Sequence, residues 1–252
     1  MTPTTRIVVP CFNEEARWRF DYWAEIAGEP AIGLLFVDDG SNDRTPDVIA
    51  STCLDLDADS LVLPNNVGKG EAIRLGMLRA VQHSPRVVGF LDADAAFPAE
   101  EVIRLATLAD SYVGTDSAPF DSLWSSRVLL GGRDIKRRTS RHYLGRAVAT
   151  LVAPYHGHEV YDTQSGYKLF RAGEEFIGCL SQPFTTRWFP DIELLQRWTR
   201  QAGSQMRVWE EPVLGWHDVD GSKMNRSQYG QLMRDVWNLR RGRPRRDGNV
   251  DS

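Results

Sequence analysis

Two carboxylates, Asp92 and Asp94, close the run Val87-Val88-Gly89-Phe90-Leu91-Asp92-Ala93-Asp94. Four of the five residues before Asp92 are apolar, as a buried strand requires, and the run ends abruptly in acid. Along an extended chain, residues two apart point to the same side. Both carboxylates therefore converge just beyond the carboxyl end of the strand. A hard divalent cation carrying a diphosphate takes this arrangement, with one or two protein carboxylates and the remaining ligands from phosphate and water. An isolated Asp-x-Asp is more simply a polar turn. The weight of the pair thus depends on what else falls at strand ends.

The elements that must position the pair alternate regularly through the first half of the chain. Arg6 to Pro10, Gly33 to Val37, Ser60 to Leu63 and Val87 to Leu91 read as strands. Between them, Asn13 to Ala27 reads as a helix opened by Asn13, and another starts at Thr45-Pro46-Asp47 with Pro46 at a favoured first position. Gly70 to Gln82 carries Ile73, Met77, Ala80 and Val81 at helical spacing, and a further helix follows Pro98. Such alternation predicts an α/β fold of βαβ units around a mostly parallel sheet, whose ligands gather at the carboxyl ends of the strands. The second half is less regular. Val128 to Gly131 is a candidate strand, Arg141 to Val152 a moderately apolar helix and Asp162 to Phe170 a loop entering a strand. Pro190 to Arg200 is predicted helical and Met206 to Val213 extended.

The strand-end loops form an ordered series: Val8-Val9-Pro10-Cys11-Phe12-Asn13-Glu14-Glu15, Val37-Asp38-Asp39-Gly40-Ser41, Asn65-Asn66-Val67-Gly68-Lys69-Gly70 and Leu91-Asp92-Ala93-Asp94. The second half adds Asp162-Thr163-Gln164-Ser165-Gly166-Tyr167-Lys168-Leu169-Phe170, Trp188-Phe189-Pro190-Asp191-Ile192-Glu193 and Gly221-Ser222-Lys223. Together these resemble family 2 glycosyltransferases, and within them the dolichyl-phosphate glucosyltransferase and polyprenyl-phosphate glycosyltransferase branch. Each motif is weakly specific alone, but the ordered series over residues 6 to 240 is strong.

The resemblance implies a GT-A fold: a single Rossmann-like domain over residues 1–240 with a mostly parallel central sheet flanked by helices. A nucleotide-binding half would cover about 1–115 and an acceptor-side half about 116–240, followed by a basic, disordered tail over 241–252. It implies Mg²⁺ or Mn²⁺ at Asp94, with Asp92 shared between metal and donor. It assigns Pro10, Asn13, Glu14, Asp38 and Asp39 to the nucleotide sugar. Asp39 has the chemistry to accept a hydrogen bond from uracil N3–H, although Asp, Gly and Ser are also simple turn formers.

Gly68-Lys69-Gly70 precedes a helix, where free N–H groups and the helix dipole attract anions. Lys69 could add a point charge near the diphosphate, or be a solvated lysine at a helix start. Arg133, with Lys223 or Arg226, could assist the same leaving group. The resemblance places Asp162 near the acceptor as the catalytic candidate, with capping of its own turn as the alternative. Asp191 and Glu193 sit where many family 2 enzymes place a general base, and read equally as a capped amphipathic helix.

The acceptor decides how much base catalysis is needed. A sugar hydroxyl must lose its proton as it attacks, whereas a phosphate monoester, with a second pKa near ~6, is already mostly dianionic. Arg137, Arg138 and Arg141 could hold such a phosphate. The expected activity is inverting transfer of a hexose, in first place glucose from UDP-glucose, to a polyprenyl phosphate. A soluble small-molecule or sugar hydroxyl acceptor is the alternative, and a non-catalytic nucleotide-sugar-binding module the second.

Bulk properties narrow the classes. The 252 residues, 42% hydrophobic and 25% charged, describe an ordinary globular chain able to bury a full core. A net charge of −4 gives no global reason for nucleic-acid binding. Three cysteines without metal-ligand spacing fit a reducing cytoplasm. No signal peptide is read at the start and no run approaches the ~20 apolar residues that span a bilayer. Membrane contact would be peripheral, at the inner face, through the arginines from Arg234 to Arg246. The first strand leads to Pro10-Cys11-Phe12-Asn13 with no Gly-x-Gly-x-x-Gly, which argues against a dinucleotide-binding dehydrogenase.

Overall fold

The structure is a computed structural model that describes residues 2–136, 160–219, 230 and 234–239. The first half runs β1 (Thr5–Cys11), α1 (Phe20–Ala27), β2 (Ile32–Asp38), α2 (Thr45–Leu56), β3 (Asp59–Val62), α3 (Lys69–Ala80), β4 (Val87–Leu91) and α4 (Ala99–Tyr112). The second half contributes β5 (Ser122–Ser126), β6 (Asp134–Lys136), β7 (Tyr167–Arg171), α5 (Glu174–Cys179), α6 (Pro190–Ala202), β8 (Val208–Pro212) and β9 (Gly215–His217). Residues 234–239 are helical.

Seven strands form one sheet in the order β3-β2-β1-β4-β7-β5-β8, and β6 pairs with β9 in a separate ribbon. Among the described residues only the pairings of β7 with β4 and β5 are antiparallel, so the expected mostly parallel sheet flanked by helices is what forms. The central strands are buried on both faces and sort their side chains by parity. Ile7, Val9, Leu34, Phe36, Val87, Leu91, Tyr167 and Leu169 face α1 and α4. Val8, Leu35, Val37, Val88, Phe90 and Phe170 face α3, α5 and α6.

Strand order reverses between β1 and β4, the switch point at which a crevice opens beyond the carboxyl ends. Because β7 runs antiparallel, its amino end lies at that same edge. The loops after β1, β2, β4 and β5 and the loop before β7 therefore share one rim.

Two local expectations change. Asn13 to Ala27 is not one helix: Asn13 is left-handed (φ 55°), a 3-10 turn covers Glu15–Arg17, and α1 starts only at Phe20. Asn13 is engaged crosswise instead, its N–H donating to Ser41 Oγ at 3.0 Å and its Oδ1 accepting from Asn42 N at 2.9 Å. Trp18 then stays extended, its ring against Trp23 and Phe36 and its Nε1 donating to Thr52 Oγ1.

The Val128 to Gly131 strand does not form either, and Leu129 and Leu130 are exposed. The strand lies upstream, at Ser122–Ser126, where serines occupy buried positions. Ser125 Oγ is satisfied by Ser165 and by the Tyr167 carbonyl, so polarity hid a core strand. The expected Arg141 to Val152 helix and the 241–252 tail lie outside the described residues.

Candidate active site

Asp92 leaves β4 with its N–H bonded to the Gly166 carbonyl at 2.9 Å, which ties the loop before β7 to the acidic pair. A Cβ on Gly166 would sit 2.5 Å from Asp92 Oδ2, so only glycine lets the carboxylate lie against that backbone. Asp92 Oδ1 pairs with Lys69 Nζ at 2.6 Å. Asp94 turns back to accept the Ala96 N–H at 3.2 Å, just after Ala95 in a left-handed conformation.

Burial, and then the charge of Asp92, push the Asp94 carboxyl above the usual carboxylate range. Glu14 joins the group from the β1 loop. Its Oε1 accepts from Arg17 at 2.6 Å while its Oε2 is buried without a hydrogen-bond partner. Burial raises its pKa, Arg17 opposes this, and Asp94 and Asp92 add to it. Burial would lower Lys69, but its pair with Asp92 leaves it raised. Three carboxyl groups thus feel one another, with Lys69, Arg17 and Arg127 among the cations that feel them.

The β2 loop holds shape. Asp38 accepts from both the N–H and the hydroxyl of Ser41, closing the turn as expected. Asp39 is 3% exposed and accepts the N–H groups of Val67 at 2.7 Å and Gly68 at 2.9 Å. It binds the β2 loop to the start of α3, and burial raises its pKa against those two bonds.

The glycines around Lys69 are explained by protein contact, since a Cβ on Gly70 would meet the Thr186 carbonyl at 2.8 Å. Gly70 N also donates to the Arg187 carbonyl at 3.1 Å, so one N–H of this helix start is taken by protein rather than anion. Pro10 lies within β1, next to the loop. Arg133 precedes β6, its side chain without an ion-pair partner among the described residues. The ribbon is joined to the acidic loop by His217 N donating to Ala96 O at 2.9 Å.

The acidic candidates of the second half are all paired. Asp162 takes a two-pronged bond from Arg127, Nε to Oδ2 at 2.8 Å and Nη2 to Oδ1 at 2.7 Å, plus the Arg127 N–H at 2.9 Å. The proposed turn cap falls to its backbone carbonyl, which accepts Ser165 N. Asp191 binds the buried ammonium of Lys168 through Oδ2 and the Ile192 N–H through Oδ1. Glu193 accepts from Thr185, Thr186 and Arg197, which anchors it between those residues.

Sequence reasoning missed Lys168 and Arg127. Lys168 is 1% exposed, donates to the Thr163 carbonyl at 2.8 Å and lies 4.4 Å from the Trp124 ring centroid. Burial lowers its pKa despite Asp191. The signal was a lysine within a strand buried on both faces. Arg127 gave none, because arginines just past a strand are ordinarily solvated. Arg137, Arg138, Arg141, Lys223 and Arg226 lie outside the described residues.

A small cavity of about 40 Å³ between Lys69, Thr163, Lys168, Trp188 and Asp191 adjoins the acidic pair. A larger one of about 710 Å³ lies between α5, α6 and Asn238. Among the described residues that line it, Glu193 is the one carboxylate, and it already accepts from Thr185, Thr186 and Arg197.

A family profile described as "Glycosyl transferase family 2" matches residues 6–119. A dolichyl-phosphate beta-glucosyltransferase of Trichomonas vaginalis is 30% identical over 91% of this chain and 71% of its own. The dolichyl-phosphate beta-glucosyltransferase of Saccharomyces cerevisiae is 30% identical over 86% of this chain and 68% of its own. Among solved structures, glucosyl-3-phosphoglycerate synthase from Mycobacterium tuberculosis, in complex with Mn²⁺, UDP and glucosyl-3-phosphoglycerate, superposes with a TM-score of 0.62. It is 20% identical and covers 94% of this chain and 78% of its own.

Proposed function

Because the chain belongs to glycosyl transferase family 2, with the GT-A fold and in the polyprenyl-phosphate branch, we propose that it transfers glucose from UDP-glucose to a polyprenyl phosphate of the dolichyl type. The observation that carries the acceptor is the pairing of Asp162, Asp191 and Glu193 with Arg127, Lys168 and Arg197. A carboxylate already held by a cation is not free to meet a sugar hydroxyl, and such a hydroxyl would need a base within hydrogen-bond reach. A phosphate monoester arrives already ionised and requires positioning alone.

The residues fit a divalent cation. Asp94 offers an oxygen beyond the one held by Ala96 N, its ionisation is opposed by Asp92, and Glu14 carries a buried unpartnered oxygen. These are the hard donors that Mg²⁺ or Mn²⁺ takes. Asp94 would hold the cation, with Asp92 beside it, and the cation would offset charge building on the departing diphosphate. Lys69 stands at Asp92 and is placed to share that task, with Arg133 at the ribbon as a further candidate. In this reading Asp39 reaches the nucleoside with the acceptor capacity its two backbone bonds leave. Pro10, Asn13, Glu14 and Asp38 shape the same wall. Arg127 holds Asp162, which positions the loop before β7 rather than moving a proton. In-line attack by the phosphate, opposite the leaving UDP, inverts the anomeric carbon.

No helix among the described residues is long and apolar enough to cross a membrane. Contact with lipid is assigned to the arginines at 240–246 on their charge, at about 1 kcal/mol per basic residue near an anionic surface. The decisive experiment measures turnover of UDP-glucose, with Mg²⁺ and with Mn²⁺, on a short polyprenyl phosphate and on water-soluble acceptors. Transfer to the polyprenyl phosphate is expected. Brisk transfer to a soluble acceptor alone would replace the lipid reading while keeping the donor.

A further inference from the structure

Arg187, in the segment before α6, reaches across 121 residues of chain to the loop that carries Lys69. Its Nη2 donates to Asn66 Oδ1. Its stem lies in the space where a Cβ on Gly68 would sit, 2.7 Å from Cγ and 3.0 Å from Cζ. Its carbonyl accepts the Gly70 N–H at 3.1 Å. One residue therefore holds the loop on both sides of Lys69. Asp39 grips the same loop from β2 through Val67 and Gly68, and Lys69 itself ends on Asp92. The positive charge of Arg187 also favours the ionised form of buried Asp39, the form that accepts those two N–H groups.

The position of Arg187 is set in turn by the helical residues 234–239. Asp235 is 0% exposed, and its Oδ2 accepts the N–H of Arg187 at 2.7 Å and of Trp188 at 2.9 Å. Bonds to an ionised acceptor are among the strong ones. Asn238 Nδ2 donates to the Thr185 carbonyl at 2.9 Å, two residues upstream. Val236 and Leu239 pack with Phe189 and Ile192 at the start of α6. Contacts thus run without a gap from Asp235, through the backbone at 187–188, to Asn66, Gly68 and Gly70, and so to Lys69.

We propose that Arg187 is a positioning residue for the nucleotide-sugar donor, and that Asp235 acts on the donor through it. Arg187 sets the loop that carries Lys69, and residues 234–239 set Arg187. The inference rests on the reading of the rim as a donor site. It adds that donor affinity depends on a helical segment more than 160 residues beyond that loop in the chain, a distance read from Gly70 and Asp235.

The test measures UDP binding by calorimetry with Mn²⁺ present, and KM for UDP-glucose and for a short polyprenyl phosphate. The proteins are the wild type, Arg187→Met, Arg187→Lys, Asn66→Ala, Asp235→Asn and the double variant Arg187→Met with Asp235→Asn. Arg187→Met should weaken UDP binding on the order of tenfold, the scale of a lost hydrogen bond to a charged group. KM for UDP-glucose should rise with it, KM for the polyprenyl phosphate should stay, and Arg187→Lys should recover part of the loss. Asn66→Ala and Asp235→Asn should weaken UDP binding in the same direction. The double variant should lose little more than Arg187→Met alone, because residues in one network do not add.

Unchanged UDP affinity in Arg187→Met would overturn the proposal, as would equal rises in the two KM values. A double variant that loses the full product of the single effects would break the link to Asp235. Asn238→Ala, at a half-buried position of the same helical segment, reads that link should Asp235→Asn fail to fold. UDP binding needs no transfer, so the two readings separate. The expected pattern of UDP affinities without transfer to any acceptor would defeat the transfer reading and leave Arg187 in its role. A wild type that binds no UDP would defeat the donor site, and this inference with it.

Discussion

At the scale of single residues, the site holds carboxylates that resist ionisation. Asp94 is raised first by burial and then by Asp92, and Glu14 first by burial. Below the unfolded pKa, Asp94 is protonated in both states and costs nothing. As pH rises toward its raised folded value, the unfolded chain releases the proton first, so stability falls. Asp94→Asn should therefore raise the melting temperature at neutral pH without divalent cation, while turnover drops to background. Calorimetric melting across pH, paired with an activity assay, checks both; a mutant less stable than wild type would contradict the electrostatic account. Asp162 carries the opposite expectation. Removing one partner of a buried pair leaves a stranded charge, at about 3–5 kcal/mol. Asp162→Asn should destabilise by that order in urea unfolding, and Asp162→Asn with Arg127→Met should recover part of the loss. A double mutant no better than Asp162→Asn would show that Arg127 does not need its partner.

At the scale of elements, parity and termini do the positioning. β4 buries both faces and so must end where its first carboxylate begins, and β7 brings Gly166 alongside because it runs antiparallel. Asp39 acts between elements, pinning Val67 and Gly68 at the start of α3. Asp39→Ala leaves two N–H groups without their acceptor, at about 1–3 kcal/mol each where they stay buried. It should also loosen the segment carrying Lys69, raising KM for the donor more than it lowers kcat. Hydrogen exchange should speed at Val67 and Gly68; unchanged exchange there would dismiss the pin. Gly166→Ala inserts a methyl group where Asp92 lies. It should lower kcat/KM sharply, and the loss should appear as weaker activation by Mn²⁺ in a metal titration.

At the scale of the molecule, one rim collects loops from strands far apart in sequence. Lipid association is expected from the arginines at 240–246. Removing residues 241–252 should weaken sedimentation with phosphatidylglycerol vesicles and leave turnover on a short, dispersed polyprenyl phosphate unchanged. Equal sedimentation of both forms would assign membrane contact elsewhere. The sequence by itself determined the alternation of strands and helices, because hydrophobic period is a local property. It also determined that Asp38, Asp39, Asp92 and Asp94 fall at strand ends, since apolar runs stop where acids begin. It could not determine partners. That Asp162 is one half of an ion pair depends on Arg127, 35 residues away in the chain. Lys168 was legible only as a lysine within a buried strand, because strand position says which face a side chain takes, not what waits there. Ser122–Ser126 was missed because its serines look solvated, and only the fold brings Ser165 and the Tyr167 carbonyl to Ser125. Tertiary structure alone decided these points, because hydrogen bonds and charge pairs are made across space by groups whose chain separation carries no trace of their contact.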